Sequence, residues 1–254
     1  MSKELEDEVA IITGSTSGMG EAIARRFAKE GAAVVINGTH QERGAAVEKS
    51  INDNGGNALF YQADVSKADE VEAMVNAAVD HFSKLTILVP NAGILGNGLA
   101  TEISLETWHD TIGVNLNGVY YLCRYGLPHL IEAGGGTVVI NASIASFKSF
   151  PQHPAYCASK GALIPLTKNL AHDYAEHHIR VNALCPGPVD TPLIWDSVKA
   201  FPNADTIIDE TIAMTAAKRL GTPEDIADAA LFFASKRSSF VTGASLVIDG
   251  GVMI

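Results

Sequence analysis

A tyrosine and a lysine four residues apart, in the run Tyr156-Cys157-Ala158-Ser159-Lys160, have the types and spacing to move a proton. On a helix, positions i and i+4 share one face, roughly 40° apart around the axis. A phenol titrates near ~10 and is a poor acid or base at neutral pH. A cation held beside it favours the phenolate, so Lys160 is expected to lower that value. Reaching ~7 takes about 4 kcal/mol of differential stabilisation. Cys157 adjoins the tyrosine, but neighbouring helical residues point about 100° apart, and it reads as a small packing residue.

A second pattern lies far upstream. Thr13-Gly14-Ser15-Thr16-Ser17-Gly18-Met19-Gly20 follows the apolar run Val9-Ala10-Ile11-Ile12 and opens a stretch of helical pattern. Its glycines permit a tight turn and close backbone approach to a pyrophosphate. The helix that follows offers free N–H groups and a positive dipole end to phosphates. The spacing Thr-Gly-x-x-x-Gly-x-Gly is one residue looser than the usual Gly-x-Gly-x-x-Gly fingerprint.

The elements that must position these groups alternate along the chain. Short apolar runs read as buried strands at Val9–Ile12, Ala33–Ile36, Ala58–Tyr61, Leu85–Val89, Thr137–Ile140, Arg180–Leu184 and Ser245–Ile248. Between them lie amphipathic patterns. Ala22, Ile23 and Phe27 form one apolar face, ended by Gly31 in a left-handed cap. Val71, Met74, Val75, Ala78, Val79 and Phe82 form another. Strands continuous in Val and Ile are buried on both faces, which points to a parallel sheet covered by helices. The expected fold is α/β: one doubly wound, Rossmann-like domain over residues 1–254, with about seven strands and helices on both faces. From Pro188 to about Met214, prolines and aromatics (Pro192, Trp195, Phe201, Pro202) mix with weak helix signals and break the rhythm. We read an irregular substrate lid at about 188–215.

Composition narrows the function. The chain has 254 residues, 47% hydrophobic, with a formal net charge of -11 and no basic stripe for neutralising phosphates. A nucleic-acid partner is therefore not expected. Cys123, Cys157 and Cys185 are far apart and form no Cys-x-x-Cys pair, and the eight histidines show no ligand spacing, so no metal is expected. His177-His178 reads as a helix-end cation. The acidic start, Met1 to Glu8, lacks an apolar signal core, and no apolar run reaches the length of a membrane span. A reduced, cytoplasmic protein without membrane attachment is the expectation.

Taken with Asn91-Ala92-Gly93 after the fourth strand, Asn115, and Ser143 thirteen residues before Tyr156, the chain resembles the short-chain dehydrogenase/reductase family. The resemblance runs from about Glu8 to Gly251. It includes Cys185-Pro186-Gly187-Pro188-Val189-Asp190-Thr191 and the terminal Val247-Ile248-Asp249-Gly250-Gly251. It implies a single-domain NAD(P)(H)-dependent alcohol dehydrogenase or carbonyl reductase, assembled as a homotetramer. The Asn115 and Tyr156 helices and the C-terminal strand would form the interfaces. Tyr156 would be the acid/base, Ser143 would bind the substrate oxygen, and Asn115 would hold a water linking Lys160 to solvent. The cofactor would lie along Gly14, Ser15, Thr16, Ser17, Gly18, Met19 and Gly20, then Gly38, Thr39, Asp64 and Val65. It would continue past Asn91, Ala92, Gly93, Tyr156 and Lys160 to Pro186, Gly187, Val189 and Thr191. Pro90 stands where the family commonly has a second asparagine.

Cofactor choice turns on Asn37-Gly38-Thr39-His40 at the end of the second strand. By our alignment Gly38 replaces the acid that would receive the ribose hydroxyls of NAD, and Thr39 replaces a common NADP-type arginine. With no acid to repel a 2′-phosphate, and Thr39, His40 or Arg43 to meet it, NADP(H) is favoured over NAD(H). For the substrate, the family positions Ser143, Leu95, His153, Tyr156, Leu193 and Trp195, with Ile94, Ile144, Phe147, Phe150, Pro188 and Ile194, are mostly apolar. Lys148 is the one cation among them, which favours a neutral ketone or secondary alcohol. A dinucleotide-binding regulator without turnover and an isomerase or dehydratase are the competing readings.

Overall fold

The computed structural model describes residues 3–199 and 204–254. Met1 and Ser2 of the acidic N-terminal run, and Phe201 and Pro202 of the expected lid, lie outside the described residues. Among those described, β1 (Val9–Ile12), β2 (Ala33–Gly38), β3 (Asn57–Gln62), β4 (Ile87–Val89), β5 (Gly136–Asn141), β6 (Ile179–Pro186) and β7 (Ser245–Ile248) form one sheet. The order is β3-β2-β1-β4-β5-β6-β7 and every pairing is parallel.

The helices are α1 (Gly18–Lys29), α2 (Gln41–Asp53), α3 (Ala68–Phe82), α4 (Leu105–Ile112), α5 (Gly118–Glu132), α6 (Pro154–Asp173), α7 (Pro192–Lys199), α8 (Ala204–Met214) and α9 (Pro223–Ala234). Successive strand residues point to opposite sides of the sheet, so the apolar runs feed two cores. In β1, Val9 and Ile11 join one core while Ala10 and Ile12 join the other. In β6, Val181, Ala183 and Cys185 part from Leu184 in the same way. Met74 of α3, Leu122 of α5 and Leu163 of α6 close the first core; Phe27 of α1, Val47 of α2 and Phe233 of α9 close the second. Each such side chain, fully buried, contributes about 1.5–3 kcal/mol.

α1 ends as its sequence indicates. Gly31 adopts φ +99, and the N–H groups of Gly31 and Ala32 return to the carbonyls of Ala28 and Phe27, a left-handed cap with two closing bonds. β7, in contrast, is an edge strand, with Leu246 38% and Val247 40% exposed; its apolar run is not buried on both faces.

The segment after β6 departs from the irregular stretch expected there. It forms α7 and α8. Pro192 occupies the first position of α7, where a missing N–H costs no intrahelical bond, so this proline opens a helix instead of breaking one. Between α4 and α5, Gly113–Asn117 form a π turn within one continuous helical run. No helix among the described residues is long and apolar enough to cross a membrane.

The strand order reverses its direction of growth between β1 and β4. In open parallel sheets the crevice at the carboxyl ends of such strands is where ligands bind. The loops after β1, β4, β5 and β6 all open there.

Candidate active site

The glycine turn is held from behind. Ser15 Oγ donates to the Ile12 carbonyl at 2.6 Å and receives the Asn37 N–H at 3.0 Å, while Ser15 N–H donates to the Asn37 carbonyl at 2.8 Å. Asn37 Nδ2 continues to the Ala63 carbonyl at 3.0 Å, tying the turn to the ends of β2 and β3. Gly14 has φ +61, a conformation that side chains disfavour. At Gly20 an added Cβ would overlap the Gly14 carbonyl oxygen.

Thr13 binds this turn to the loop after β4. Its hydroxyl accepts the N–H groups of Asn91 at 2.9 Å and Ala92 at 3.1 Å. Asn91 Nδ2 donates to the carbonyls of Thr13 at 2.8 Å and Gly14 at 3.1 Å. Pro90, which lacks a donor, contributes its carbonyl to the Asn141 N–H at 2.9 Å.

Tyr156 and Lys160 lie on α6 as their spacing predicts, but the electrostatics differ from the expectation. Lys160 is 4% exposed, and its ammonium donates to the Asn141 carbonyl at 2.7 Å. It stands 6.0 Å from the centre of the Tyr156 ring. Burial pushes the Tyr156 phenol up, and a hydrogen bond with Ser143 pulls it partly back. Lys160 itself is brought down to about 8 by burial, opposed by Cys185. The Cys185 thiol is pushed up to about 11 by burial, against the pull of the Ser143 backbone and Lys160. Ser143 Oγ also accepts the Ala145 N–H at 3.0 Å, which fixes its direction at the end of β5.

Asn115 is fully buried in the π turn. Its amide accepts the Ile94 N–H and donates to the Ile94 carbonyl, both at 2.8 Å, and donates to Ser159 Oγ at 3.1 Å. The side chain is thus occupied in clamping the loop after β4 against α6.

Two cavities of about 280 Å³ each meet at Tyr156. The first runs from Gly38, Thr39, His40 and Asp64 past the glycine turn and Asn91 to Tyr156 and Lys160. The second is lined by Ser143, Leu95, Phe150, His153, Leu193 and Ile207, among others. Met19, Ala142, Tyr156, Thr191 and Leu193 face both. A larger hollow of about 990 Å³ lies at the opposite, amino ends of β4, β5 and β6 and contains none of these groups.

Most of the residues singled out from sequence converge here: Gly14, Thr16, Ser17, Gly18, Met19, Gly20, Gly38, Thr39, Asp64, Val65, Asn91, Ala92 and Gly93 all line the first cavity. Some do not. Ser15 points into the protein behind the turn. Pro186, Gly187 and Val189 line the second cavity and not the first. Trp195 is 39% exposed, lines neither cavity and donates its indole N–H to Asp190 Oδ1 at 2.6 Å. Phe147, 48% exposed, is likewise outside, and Ile94 faces the first cavity. His153 Nδ1 donates to the Pro151 carbonyl at 2.6 Å, leaving Nε2 free to face a ligand. Sequence reasoning named Thr13, Asn37 and Cys185 only as members of motifs, without a role, and passed over Asn141. A buried polar residue at the carboxyl end of a strand was the available signal. Among the described residues, no group of three or more His, Cys, Asp or Glu side chains is placed to hold a metal.

The family described as enoyl-(acyl carrier protein) reductase matches residues 14–253. The chain is 39% identical over 246 residues to an uncharacterized oxidoreductase of Thermotoga maritima, covering 97% of each chain. It is 39% identical over 256 residues to 3beta-hydroxysteroid dehydrogenase 1 of Eggerthella lenta, covering 100% of this chain and 97% of that one. Among solved structures, the ligand-free aldohexose dehydrogenase of Thermoplasma acidophilum superposes with a TM-score of 0.88 at 32% identity, covering 99% of this chain and 96% of that one. With these relatives spanning its whole length, the chain belongs to the short-chain dehydrogenase/reductase family.

Proposed function

We propose that this protein is an NAD(P)(H)-dependent oxidoreductase that interconverts a neutral secondary alcohol and its ketone, with Tyr156 as the acid/base. The observation that carries this reading is the shared wall: Tyr156 faces both an elongated cavity on the glycine turn and an apolar cavity beside it. The lining of the first suits a dinucleotide. Its floor is glycine where a Cβ at Gly14 or Gly20 would collide with neighbouring backbone, and it spans the switch point from β2 to α6. Gly14, Gly18, Gly20 and the start of α1 would hold the pyrophosphate, Asp64 and Val65 the adenine, and Asn91, Gly93, Lys160 and Thr191 the nicotinamide half. When bound, the dinucleotide supplies or takes the hydride.

The chain's own residues handle the oxygen and its proton. Ser143 is aimed by the Ala145 N–H and can share a hydrogen bond with the substrate oxygen, which strengthens as that oxygen gains charge. Tyr156, raised by burial, is protonated at neutral pH and so stands as the acid for carbonyl reduction. Lys160 places a second proton-bearing group, poised at about 8, on the same helix face. Apolar Leu95, Ile144, Phe150, Leu193, Ile194 and Ile207 surround the reacting end, and among the described residues no carboxylate lines that cavity. The hydroxysteroid dehydrogenase among the relatives supports a neutral alcohol. We read α7 and α8 as the lid over this cavity, to which Leu193, Ile194, Ile207 and Met214 contribute. Exposed Tyr120 of α5 and Leu246 and Val247 of β7 are consistent with burial in a homotetramer.

The test is a panel of alcohols and ketones with NAD(H) and NADP(H), read by nicotinamide absorbance, for the wild type and Tyr156→Phe. We expect turnover in the wild type and at least a ~10²-fold loss in the variant, with dinucleotide binding kept. Turnover surviving in Tyr156→Phe would overturn the acid/base role. A protein that binds the dinucleotide but turns over nothing would favour the regulator.

A further inference from the structure

The second cavity, the apolar one beside Tyr156, is polar on one side only. Ser143 and Tyr156 stand at its reacting end. On the lid side, Ser197 Oγ donates to the Ile194 carbonyl at 2.6 Å and Thr211 Oγ1 to the Ile207 carbonyl at 2.7 Å, so both hydroxyl protons are spent within α7 and α8. Thr191 Oγ1 is spent likewise on the Val189 carbonyl at 3.3 Å. Among the described residues two polar side chains of the lining remain, Lys148 and His153, and both belong to the segment that joins Ser143 to Tyr156. The Gly98 N–H pins that segment to the loop after β4 by donating to the Gln152 carbonyl at 2.8 Å. Neither side chain is sealed off: Lys148 is exposed and His153 is half-buried.

Their hydrogen-bonding roles are complementary. Pro151 offers His153 a carbonyl, which can only accept, so Nδ1 carries the proton and donates at 2.6 Å. The neutral ring then has an acceptor at Nε2. It lies edge-on to the Tyr156 ring with 6.5 Å between centroids, beside the group that serves the reacting oxygen. Lys148 can only donate. Its ammonium stands 5.7 Å from the centre of the Phe150 ring, and among the described residues no carboxylate lines the cavity to pair with it. Its flexible stem gives it reach. One donor and one acceptor on the same wall suit a group that both accepts and donates, and a hydroxyl does both. A carbonyl, an ether or a carboxylate would serve Lys148 and leave the His153 acceptor unmet. We propose that the substrate carries a second hydroxyl near the reacting carbinol, whose oxygen accepts from Lys148 and whose proton is donated to His153. The substrate class is thus a diol, or in the reverse direction a hydroxyketone. This inference rests on the oxidoreductase reading above and narrows its substrate. Ser143 and Tyr156 handle the oxygen that reacts, and Lys148 and His153 the oxygen that does not.

The test is kcat/KM with the preferred dinucleotide for cyclohexanol and its 2-, 3- and 4-hydroxy derivatives, then for the methoxy and carboxylate counterparts of the best of these. In the wild type the best diol exceeds cyclohexanol about tenfold, and it exceeds the methoxy and carboxylate compounds as well. The ratio of diol to cyclohexanol is the readout, because a general loss of activity cancels from it. In Lys148→Met the ratio falls to the statistical advantage of two oxidisable hydroxyls. In His153→Phe the diol and its methoxy counterpart become equivalent, since the acceptor that tells them apart is gone. A wild-type ratio no better than statistical, or one that neither variant changes, would overturn the proposal, while turnover of cyclohexanol would leave the oxidoreductase reading standing. A carboxylate compound favoured over the diol, with that preference lost in Lys148→Met, would overturn the hydroxyl and the neutral substrate together. A wild type that oxidises none of these compounds would overturn the proposal, and the wider panel above decides the reading beneath it. If one variant does not fold, the other carries the comparison.

Discussion

Lys160 is kept in the protein at a measurable thermodynamic cost. It is 4% exposed and its ammonium is brought from 10.5 down to about 8 by burial. A depression of that size corresponds to about 3 kcal/mol against folding with the charge in place. In the unfolded chain the lysine keeps its ordinary value. Below pH 8 both states hold the proton, and the cost is fully present. Between about 8 and 10.5 the unfolded chain binds a proton that the native state has released, so stability rises with pH. Lys160→Met has no such group. Urea unfolding of both proteins at pH 7 and pH 9.5 should show the wild type gaining about 2 kcal/mol on the variant across that interval. Cys123 and Cys185, pushed up to about 12 and about 11 by burial, have the opposite sign and destabilise both proteins above pH 9. Only the difference between the two proteins is therefore read. The same substitution should abolish turnover. A stability difference that does not change between the two pH values would refute the reasoning, because Lys160 would then titrate alike in both states.

Two further substitutions probe the dinucleotide cavity. Gly20→Ala places a methyl group against the Gly14 carbonyl oxygen; we expect dinucleotide binding to fall at least tenfold by calorimetry, and binding within twofold would count against the tight turn. Gly38→Asp brings a Cβ to 2.7 Å from Thr16 Cγ2, so the acid that receives NAD elsewhere in the family should not fit here alone. Gly38→Asp should weaken both dinucleotides, and adding Thr16→Gly should restore NAD binding but not NADP, whose 2′-phosphate the carboxylate repels. Improved NAD binding by the single variant would contradict this.

Much of the scaffold is written in local pattern. Val9–Ile12, Val34–Ile36 and Val138–Ile140 are continuous apolar runs because residues on both sides of the strand enter a core, and Gly31 ends α1 as a left-handed cap. The glycine turn, Tyr156 and Lys160 stood out by residue type and spacing, whereas Asn91 and Ser143 stood out only through the family resemblance. What was illegible depends on distance in the chain. Thr13 meets Asn91 across 78 positions and Asn141 meets Asn91 across 50; no spacing rule links such pairs. Lys160 was expected to act on its helical neighbour Tyr156, yet a carbonyl 19 positions away on β5 holds its ammonium. The segment at α7 and α8 read as irregular because prolines and aromatics there mix with weak helix signals, whereas Pro192, at a first helical position, starts a helix. Trp195 was assigned to the substrate from family position, and its indole instead finds Asp190, which the pattern did not reveal.

The π turn at Gly113–Asn117 has a consequence for how this chain can vary in length. It holds one residue more than an α-helical turn, and each residue advances a helix by about 100°. The buried stripe of α5, through Val119, Leu122, Cys123, Leu127 and Leu130, is phased with Asn115 in the turn. Excising one residue there would satisfy the helix and dephase the protein. Either Asn115 would keep its grip on Ile94 and rotate the α5 stripe off the sheet, or α5 would keep its packing and swing Asn115 away from the site. A deletion that repairs local geometry thus breaks the register between core and chemistry, and this stretch should resist changes in length more than any surface loop around it.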